Sequence, residues 1–355
     1  MSSEFSNPID RIRDEIRRGA RVVSLAGLTS PASKAFVINE LRPKIGKMLV
    51  IVTGTNRELE TLENDLGFFG PEEPVVSLPA FETDVYSSMS PHAETLERRA
   101  LALWALSHKA ARTVVVSAIS LATRTAAPDE LRELGAVLVR DEDFPPDELV
   151  ARLAAGGFVR EEPIKNLGEF SVRGGIVDVW SPAAELPVRI EFFGDTVDSI
   201  REFDPETQLS TGQLKSIEIA PMREFAASPS DFRDWSFFAR DRFADSKQER
   251  ALRDRTAFAD DGETFPGWEF LIPLSQPRRS TPFDYFGDAI FVIDEPGLIE
   301  QSLVAHFERL ADRQREVLEA GEIALEPHEL FLSSAEIRAR FETSPRIEIR
   351  ALGKG

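Results

Sequence analysis

The chain has 355 residues, which is too long for one comfortable core and predicts two or three domains. It carries 42 basic and 61 acidic side chains, and the net charge of −19 opposes broad adhesion to nucleic acid, which needs clustered Lys and Arg. The absence of cysteine excludes disulfides, thiolate metal sites and thiol nucleophiles, and no apolar run reaches the length of a membrane span.

The first third of the sequence alternates predicted helices and strands. Asn7 and Pro8 give an N-cap and first-turn signal for a helix that Gly19 ends. Predicted elements then follow at residues 22–28 (apolar run), 33–41 (helix), 48–53 (strand), 57–66 (helix), 75–78 (strand), 91–106 (helix) and 113–116 (apolar run). Because strands keep returning after helices, this order predicts a parallel sheet with helices packed on its faces.

The loop after the first predicted strand has the outline of a phosphate-binding loop. Such a loop needs Gly, four residues and then Gly-Lys with a hydroxyl residue, so that backbone N–H groups, lysine and hydroxyl can reach phosphate and magnesium. Here Ala32 replaces the second glycine, Pro31 removes a backbone donor, and Lys34 is displaced by one position. We therefore expect that ATP no longer binds. The predicted degenerate loop comprises Gly27, Thr29, Ser30, Ser33 and Lys34.

An apolar strand that ends in Asp294 and Glu295 resembles the magnesium-organising strand of a P-loop ATPase. A magnesium-organising strand acts together with a phosphate-binding loop, and a competent loop of that kind is missing from this sequence. The simpler interpretation is that Asp294 or Glu295 starts a helix through Pro296, because acidic residues are common at helix N-termini. We favour the helix start.

Domain boundaries follow from breaks in this rhythm. Residues 124–131 interrupt the alternation and predict an exit from the first domain. A predicted strand at 137–140 and a helix at 146–155 then lead into further strands, which together predict a small α+β domain. An amphipathic helix is predicted within 228–255 and another helix at 298–318. The predicted division is 1–125, 126–215 and 216–355.

The sequence shows no convincing arrangement of catalytic residues. The four histidines show no H-x-x-x-H spacing, and no cysteine exists to complete a zinc site. Paired arginines such as those at 98–99 and 278–279 are typical of solvated faces rather than nucleic-acid sites. We expect no catalytic residues and no metal site.

Two strand-like runs between residues 168 and 194 form a distinctive polar face. In PVRIEFFGD, strand alternation places Arg189, Glu191 and Phe193 on one side. In GEFSVRGG, the same parity points Ser171 and Arg173 outward, so that paired strands can carry Arg173 beside Arg189. Arginine with an exposed aromatic ring on rigid strands is typical of a protein-binding hot spot. The alternative is an ordinary hairpin whose outer face is merely solvated.

The run GEFSVRGGIVDVWSP, followed by PVRIEFFGDTVDSIREFDPETQLS, resembles the second domain shared by the nucleotide-excision-repair protein UvrB and the transcription-repair coupling factor Mfd. In that family this domain docks onto UvrA. The resemblance implies UvrA contacts by Arg173, Arg189, Glu191 and Phe193. Where UvrB often has a further arginine, this chain has Ser171.

Two features favour the Mfd branch of this family. UvrB retains its ATPase loop, whereas the N-terminal UvrB-homology module of Mfd has a degenerate one. UvrB also carries a long, tyrosine-rich hairpin, but here SLPAFETDVYSSMSPHAETLERRALALWAL passes to the helix without room for it, and the chain has two tyrosines. The resemblance implies an α/β fold: a discontinuous, degenerate P-loop-NTPase-like parallel-sheet domain with a small inserted α+β domain, as in UvrB.

The functional expectation is a non-catalytic, UvrA-recruiting module that links stalled RNA polymerase to nucleotide excision repair. The resemblance implies that RNA polymerase, DNA, ATP and magnesium are bound by other domains of the parent translocase. This segment itself is expected to be monomeric and cytoplasmic, with no cofactor, no membrane contact and weak or no DNA binding. It is either a fragment or a free-standing paralogue. The alternatives are a UvrB-type ATP-dependent DNA-damage-binding protein and a stand-alone UvrA-binding adaptor.

Overall fold

A computed structural model describes residues 8–244 and 247–351. The predicted N-cap Asn7 lies outside the described residues, and the first helix begins at Pro8. The strands in the described part of the chain are β1 (Val22–Ala26), β2 (Leu49–Thr53), β3 (Val76–Leu78), β4 (Thr113–Ser117), β5 (Ala136–Val139), β6 (Val159–Arg160), β7 (Glu169–Arg173), β8 (Ile176–Val179), β9 (Val188–Phe193), β10 (Thr196–Phe203), β11 (Ser210–Leu214), β12 (Ser216–Ile219), β13 (Ile290–Asp294) and β14 (Arg346–Arg350).

Helices connect most of these strands. In chain order they are α1 (Pro8–Arg17), α2 (Pro31–Ile45), α3 (Asn56–Phe69), α4 (Ala93–Ser107), α5 (Ala118–Ala122), α6 (Pro128–Glu133), α7 (Pro146–Ala155), α8 (Pro229–Arg242), α9 (Glu249–Asp260), α10 (Phe283–Phe286), α11 (Pro296–Glu319), α12 (Pro327–Leu330) and α13 (Ser334–Thr343). Within residues 8–244 and 247–351, every helix is too short or too polar to span a lipid bilayer.

Contacts divide the chain into two compact units. Unit 1 comprises Met1–Ser87, Lys109–Arg124 and Ser280–Gly355, and unit 2 comprises Ser88–His108 and Thr125–Arg279. The chain thus leaves unit 1 twice and returns to it twice. The division at residues 125 and 215 stays a prediction, whereas the compact units of the structure divide at 87/88, 108/109, 124/125 and 279/280.

Unit 1 is built on a six-stranded parallel sheet in the order β1-β14-β13-β2-β4-β3. Strands β2 and β4 are buried at every position, as expected for parallel strands that helices cover on both faces. Their apolar, β-branched sequences LVIVT and TVVVS suit that environment. The predicted parallel sheet with packed helices is confirmed.

Local sequence signals start and orient the helices of unit 1. Thr55 accepts a hydrogen bond from the backbone N–H of Glu58 at 3.2 Å, and the Glu58 carboxylate accepts one from Thr55 N–H at 3.0 Å. This capping box starts α3 because two otherwise unpaired N–H groups gain acceptors. Leu59, Leu62 and Leu66 then recur at helical spacing and are buried in the core of unit 1.

Unit 2 contains a six-stranded sheet in the order β11-β10-β9-β8-β7-β6, antiparallel except for the β6–β7 pair. Its inner face packs Val177, Val188 and Ile190 against Leu149 and Leu153 of α7. Strands β5 and β12 form a separate two-stranded sheet. Where one helix was predicted within 228–255, the structure has α8 and α9.

Candidate functional site

The candidate site is the outer face of the sheet in unit 2. Register aligns Ser171, Asp178, Arg189 and Arg201 across four neighbouring strands, and the next outward row includes Arg173 and Glu191. Side chains on one face of neighbouring strands lie close enough to pair, so these rows bring charges together. We call this surface the polar face and define it by Arg173, Asp178, Arg189, Glu191, Phe193, Ser199 and Arg201.

A buried carboxylate joins the two predicted arginines. Asp178 is 1% exposed. Its Oδ1 accepts a hydrogen bond from Arg189 Nε at 2.7 Å, and its Oδ2 accepts bonds from Arg189 Nη2 and Arg173 Nη2, both at 2.8 Å. The structure therefore places Arg173 beside Arg189 through a shared anion.

Arg189 is the more firmly held of the two arginines. Its hydrogen bonds to Asp178 raise the pKa of Arg189 above its ordinary value, against the opposing effect of burial. The guanidinium carbon also lies 4.9 Å from the ring centroid of Phe203, within the range of a cation–π contact. The Arg173 side chain is 44% exposed and that of Arg189 is 21% exposed. Both guanidinium groups are thus preorganised, and Arg173 retains more access to solvent.

Glu191 also has partners within the sheet. Its carboxylate accepts hydrogen bonds from Arg201 Nη2 and, at 2.9 Å, from Ser199 Oγ. The bond from Arg201 is the main cause that lowers the pKa of Glu191 below its ordinary value. Glu191 is therefore a carboxylate at neutral pH, fixed by an arginine that the sequence analysis did not single out.

Phe193 differs from its neighbours because it is 84% exposed. It is the last residue of β9 and pairs with Thr196 across a two-residue turn, in which Gly194 has a φ of 63°. Glycine suits that left-handed conformation. Thr196 Oγ1 donates to Asp143 at 2.7 Å, which anchors the turn to a neighbouring loop. The result is a large apolar ring that a rigid hairpin holds in solvent.

Sequence reasoning missed Asp178, although the signal was present. In GGIVDVW the flanking Val177 and Val179 are buried, so alternation turns Asp178 toward the same face as Arg189. Ser171 lies on that face as predicted but is only 2% exposed, so the face is covered at this position. Arg173 and Arg189 were expected to donate hydrogen bonds to a partner. In the structure, each arginine already donates some of its N–H groups to Asp178.

The predicted degenerate nucleotide loop lies in unit 1, where Gly27, Thr29 and Ser30 lie between β1 and α2 and Ser33 and Lys34 lie in the first turn of α2. Gly27 has a φ of 89° and donates its N–H to Arg350 O at 3.0 Å. Ser30 caps α2 by accepting from Ser33 N–H at 3.2 Å, while Ser33 Oγ donates back to Ser30 O at 2.8 Å. Thr29 is exposed. Ser30 and Ser33 are thus hydrogen-bonded to each other.

Lys34 forms an ion pair within unit 1. Its Nζ donates to both oxygens of Asp294, at 2.7 and 2.9 Å, and the two side chains are 12% and 19% exposed. Burial raises the pKa of Asp294, although the hydrogen bond from Lys34 opposes that shift. Helix α11 begins at Pro296 after Glu295, which provides no side-chain cap. The predicted helix start is found, but Asp294 has a different role, as the partner of Lys34.

Comparison with known proteins finds that one part of this chain is similar to a described family. Residues 137–225 match the UvrB interaction domain, a range that includes the whole polar face. The chain is 30% identical over 354 residues to a transcription-repair-coupling factor from Myxococcus xanthus, covering 95% of this chain and 29% of that protein.

Other transcription-repair-coupling factors give the same result. The Haemophilus influenzae protein is 26% identical over 329 residues, covering 92% of this chain and 28% of the relative. The Mycobacterium bovis protein is 32% identical over 272 residues, covering 73% of this chain and 21% of the relative. The chain therefore spans less than a third of the length of these relatives. Residues 137–225 are thus similar to the UvrB interaction domain, and the resemblance to transcription-repair-coupling factors that the motifs predicted is confirmed.

Proposed function

We propose that this chain is the UvrA-recruiting module of a transcription-repair coupling factor and that the polar face is its docking surface. The observation that carries the proposal is the exposed ring of Phe193, which stands on the same face as the Asp178-bound arginines and within the region matched by the UvrB interaction domain. Binding hot spots combine such an aromatic anchor with arginine.

The polar face suits directional recognition better than long-range attraction. Arg173, Arg189 and Arg201 are matched by nearby carboxylates, namely Asp178, Glu191 and the Glu162 oxygen that lies 3.7 Å from Arg173 Nε. The face is thus near neutral. A guanidinium has five N–H donors, and Arg189 donates two of them to Asp178. We infer that the remaining donors of Arg173 and Arg189 bond carbonyl or carboxylate oxygens on UvrA, and that Glu191 orients this array.

We also propose that unit 1 is a P-loop-NTPase-like fold with a decayed nucleotide site, so that this segment is non-catalytic. The first turn of α2 and the end of β13 meet through Lys34 and Asp294, as the two halves of such a site would. Here the lysine is paired with a half-buried carboxylate, which leaves it less available to a phosphate. In this proposal, ATP, magnesium, DNA and RNA polymerase are bound by the remaining parts of a coupling factor.

The test is a titration of purified UvrA with wild-type and substituted chains. Burial of a phenylalanine side chain contributes about 1.5–3 kcal/mol, so Phe193→Ala should weaken binding by about 30-fold. Phe237→Ala is the matched control, because Phe237 lies on α8 of the same unit and is 72% exposed. It should leave the affinity within about twofold of wild type.

Two outcomes would contradict the proposal. Equal affinities for Phe193→Ala and wild type would remove Phe193 from the interface. An equal loss in both phenylalanine variants would mean that apolar exposure in general, rather than the polar face, drives the association.

A further inference from the structure

A groove of about 660 Å³ lies in unit 1, apart from the polar face and the Lys34–Asp294 pair. Its walls come from residues 81–85, from Ile119 and Thr123, from the 306–316 stretch of α11, and from Phe331. Residues 81–85 follow β3, and Ile119 follows β4, so the groove lies beyond the carboxyl ends of these parallel strands. Open α/β sheets bind ligands at that edge, and the volume is that of a ligand site. We call it the α11 groove.

The α11 groove has an apolar floor and an acidic rim. The apolar side chains that line it are Phe81, Val85, Ile119, Leu310 and Phe331, and the charged ones are Glu82, Asp84, Asp312, Glu316, Arg309 and Arg313. Four carboxylates thus oppose two guanidinium groups. His306 adds no charge at neutral pH, because burial, followed by the nearby charge of Arg309, lowers its pKa.

The guanidinium of Arg313 already contacts two carboxylates of the rim, Asp84 and Glu316, which we call the acidic end of the α11 groove. Arg313 Nε donates to Asp84 Oδ2 and Arg313 Nη1 donates to Glu316 Oε2, both at 3.2 Å. All three side chains are more than 40% exposed, and exposed ion pairs of this kind contribute little to stability. An incoming cation can therefore displace Arg313 from these carboxylates at small cost.

The acidic end is also held in place from behind. The backbone N–H of Tyr86 donates to Asp84 Oδ1 at 3.0 Å, and the buried Tyr86 hydroxyl donates to Leu325 O at 3.0 Å. The loop that carries Asp84 is thereby tied to the body of unit 1. A preorganised carboxylate beside an apolar floor favours binding, because little ordering remains to be done.

We propose that the α11 groove binds a polypeptide segment that places a Lys or Arg side chain against Asp84 and Glu316 and lays apolar side chains on the floor. The excess of carboxylates in the lining of the α11 groove favours a basic polypeptide over other occupants. Four carboxylates repel a phosphate backbone, and a second copy of a chain with net charge −19 is also disfavoured. The contact is independent of the polar face and goes beyond UvrA recruitment.

The experiment uses the whole chain and three synthetic peptides, acetyl-Leu-Arg-Leu-Phe-amide and its counterparts with Glu or norleucine in place of Arg. Binding is followed through the methyl NMR signals of Ile119 and Leu310, which line the α11 groove. The Arg peptide should bind saturably and shift these signals. The Glu peptide should not bind, and the norleucine peptide should bind at least about tenfold more weakly.

Matched variants of α11 separate the groove from general surface charge. Glu316→Lys should weaken binding of the Arg peptide about tenfold. Glu319→Lys is the control, because Glu319 is exposed on the same helix but does not line the α11 groove, and it should bind as wild type does. Both positions are exposed, so the fold should be retained.

The proposal fails if the Arg peptide shows no saturable binding, if the Glu or norleucine peptide binds equally well, or if both lysine variants lose affinity equally. Saturable binding of a single-stranded oligonucleotide at the same methyl groups would assign the α11 groove to nucleic acid and would also overturn it. Because UvrA is absent from this experiment, none of these results depends on the proposed function of the polar face.

Discussion

Substitution of Asp178 by alanine should destabilise unit 2, because this one carboxylate holds both arginines of the polar face. It is 1% exposed and accepts three hydrogen bonds. A hydrogen bond to a charged group contributes about 1.5–3 kcal/mol, and breaking a buried ion pair costs about 3–5 kcal/mol. Arg173 and Arg189 are partly exposed, so water can satisfy some of the released donors. We expect a loss of about 2–4 kcal/mol in the free energy of unfolding of unit 2.

The natural assay is urea unfolding followed by tryptophan fluorescence. The four tryptophans, Trp104, Trp180, Trp235 and Trp268, all lie in unit 2, so the signal follows the unit that contains Asp178.

Two controls isolate the buried anion. Asp178→Asn keeps the shape and one acceptor oxygen but removes the charge, and it should lose less than alanine does. Asp198→Ala makes the same substitution at an exposed aspartate of β10, and it should change stability by less than about 0.5 kcal/mol.

The reasoning would be refuted by a loss at Asp178→Ala no larger than that at Asp198→Ala. A double substitution adds a second check. If Asp178 and Arg189 are coupled as the geometry shows, Asp178→Ala combined with Arg189→Met should cost less than the two single losses together. Fully additive losses would mean that the pair contributes nothing beyond each side chain alone.

Two further predictions concern unit 1. Burial and the charge of Arg309 lower the pKa of His306 in the fold, so the unfolded chain binds more protons in mildly acidic solution. The stability of unit 1 should therefore be fully present above pH 6.5, the ordinary value, and should fall as the pH drops below it. Urea unfolding followed by tyrosine absorption checks this, since both tyrosines lie in unit 1, and persistence of the whole fall in His306→Gln would contradict it. Labelled ATP with magnesium should show no saturable binding, because Asp294 holds Lys34, and saturation below about 1 mM would count against a decayed site.

Much of the parallel sheet could be predicted from the sequence because its central strands are locally unambiguous. The runs LVIVT and TVVVS are apolar and β-branched at every position or nearly so, and both form buried strands. Strand β14 escaped prediction because RIEIR carries three charges in five residues. In the structure it lies between β1 and β13, where Arg346 and Arg350 each donate to Glu348 at 2.8 Å. Burial alone would raise the pKa of Glu348, but these two hydrogen bonds lower it.

The position of the polar face could be predicted from the sequence, but the exposure and the contacts of its side chains could not. A period of two residues is enough to set Arg173, Arg189, Glu191 and Phe193 on one surface, because successive side chains of a strand point to opposite faces. The pattern does not reveal how much water each side chain retains. Only the folded sheet distinguishes Phe193, at 84% exposure, from Asp178, at 1%.

Local patterning thus determined the buried central strands and several of the helices, which face of β7 and β9 is polar, and that the segment after β1 lacks the residues that a phosphate-binding loop requires. These properties depend on neighbours within a few positions. The tertiary structure decided which charges meet. Asp178 joins arginines from two other strands, and Lys34 finds its partner 260 residues away at Asp294. Such pairings arise from strand order and register, which bring together distant residues whose charges must be neutralised once water is excluded.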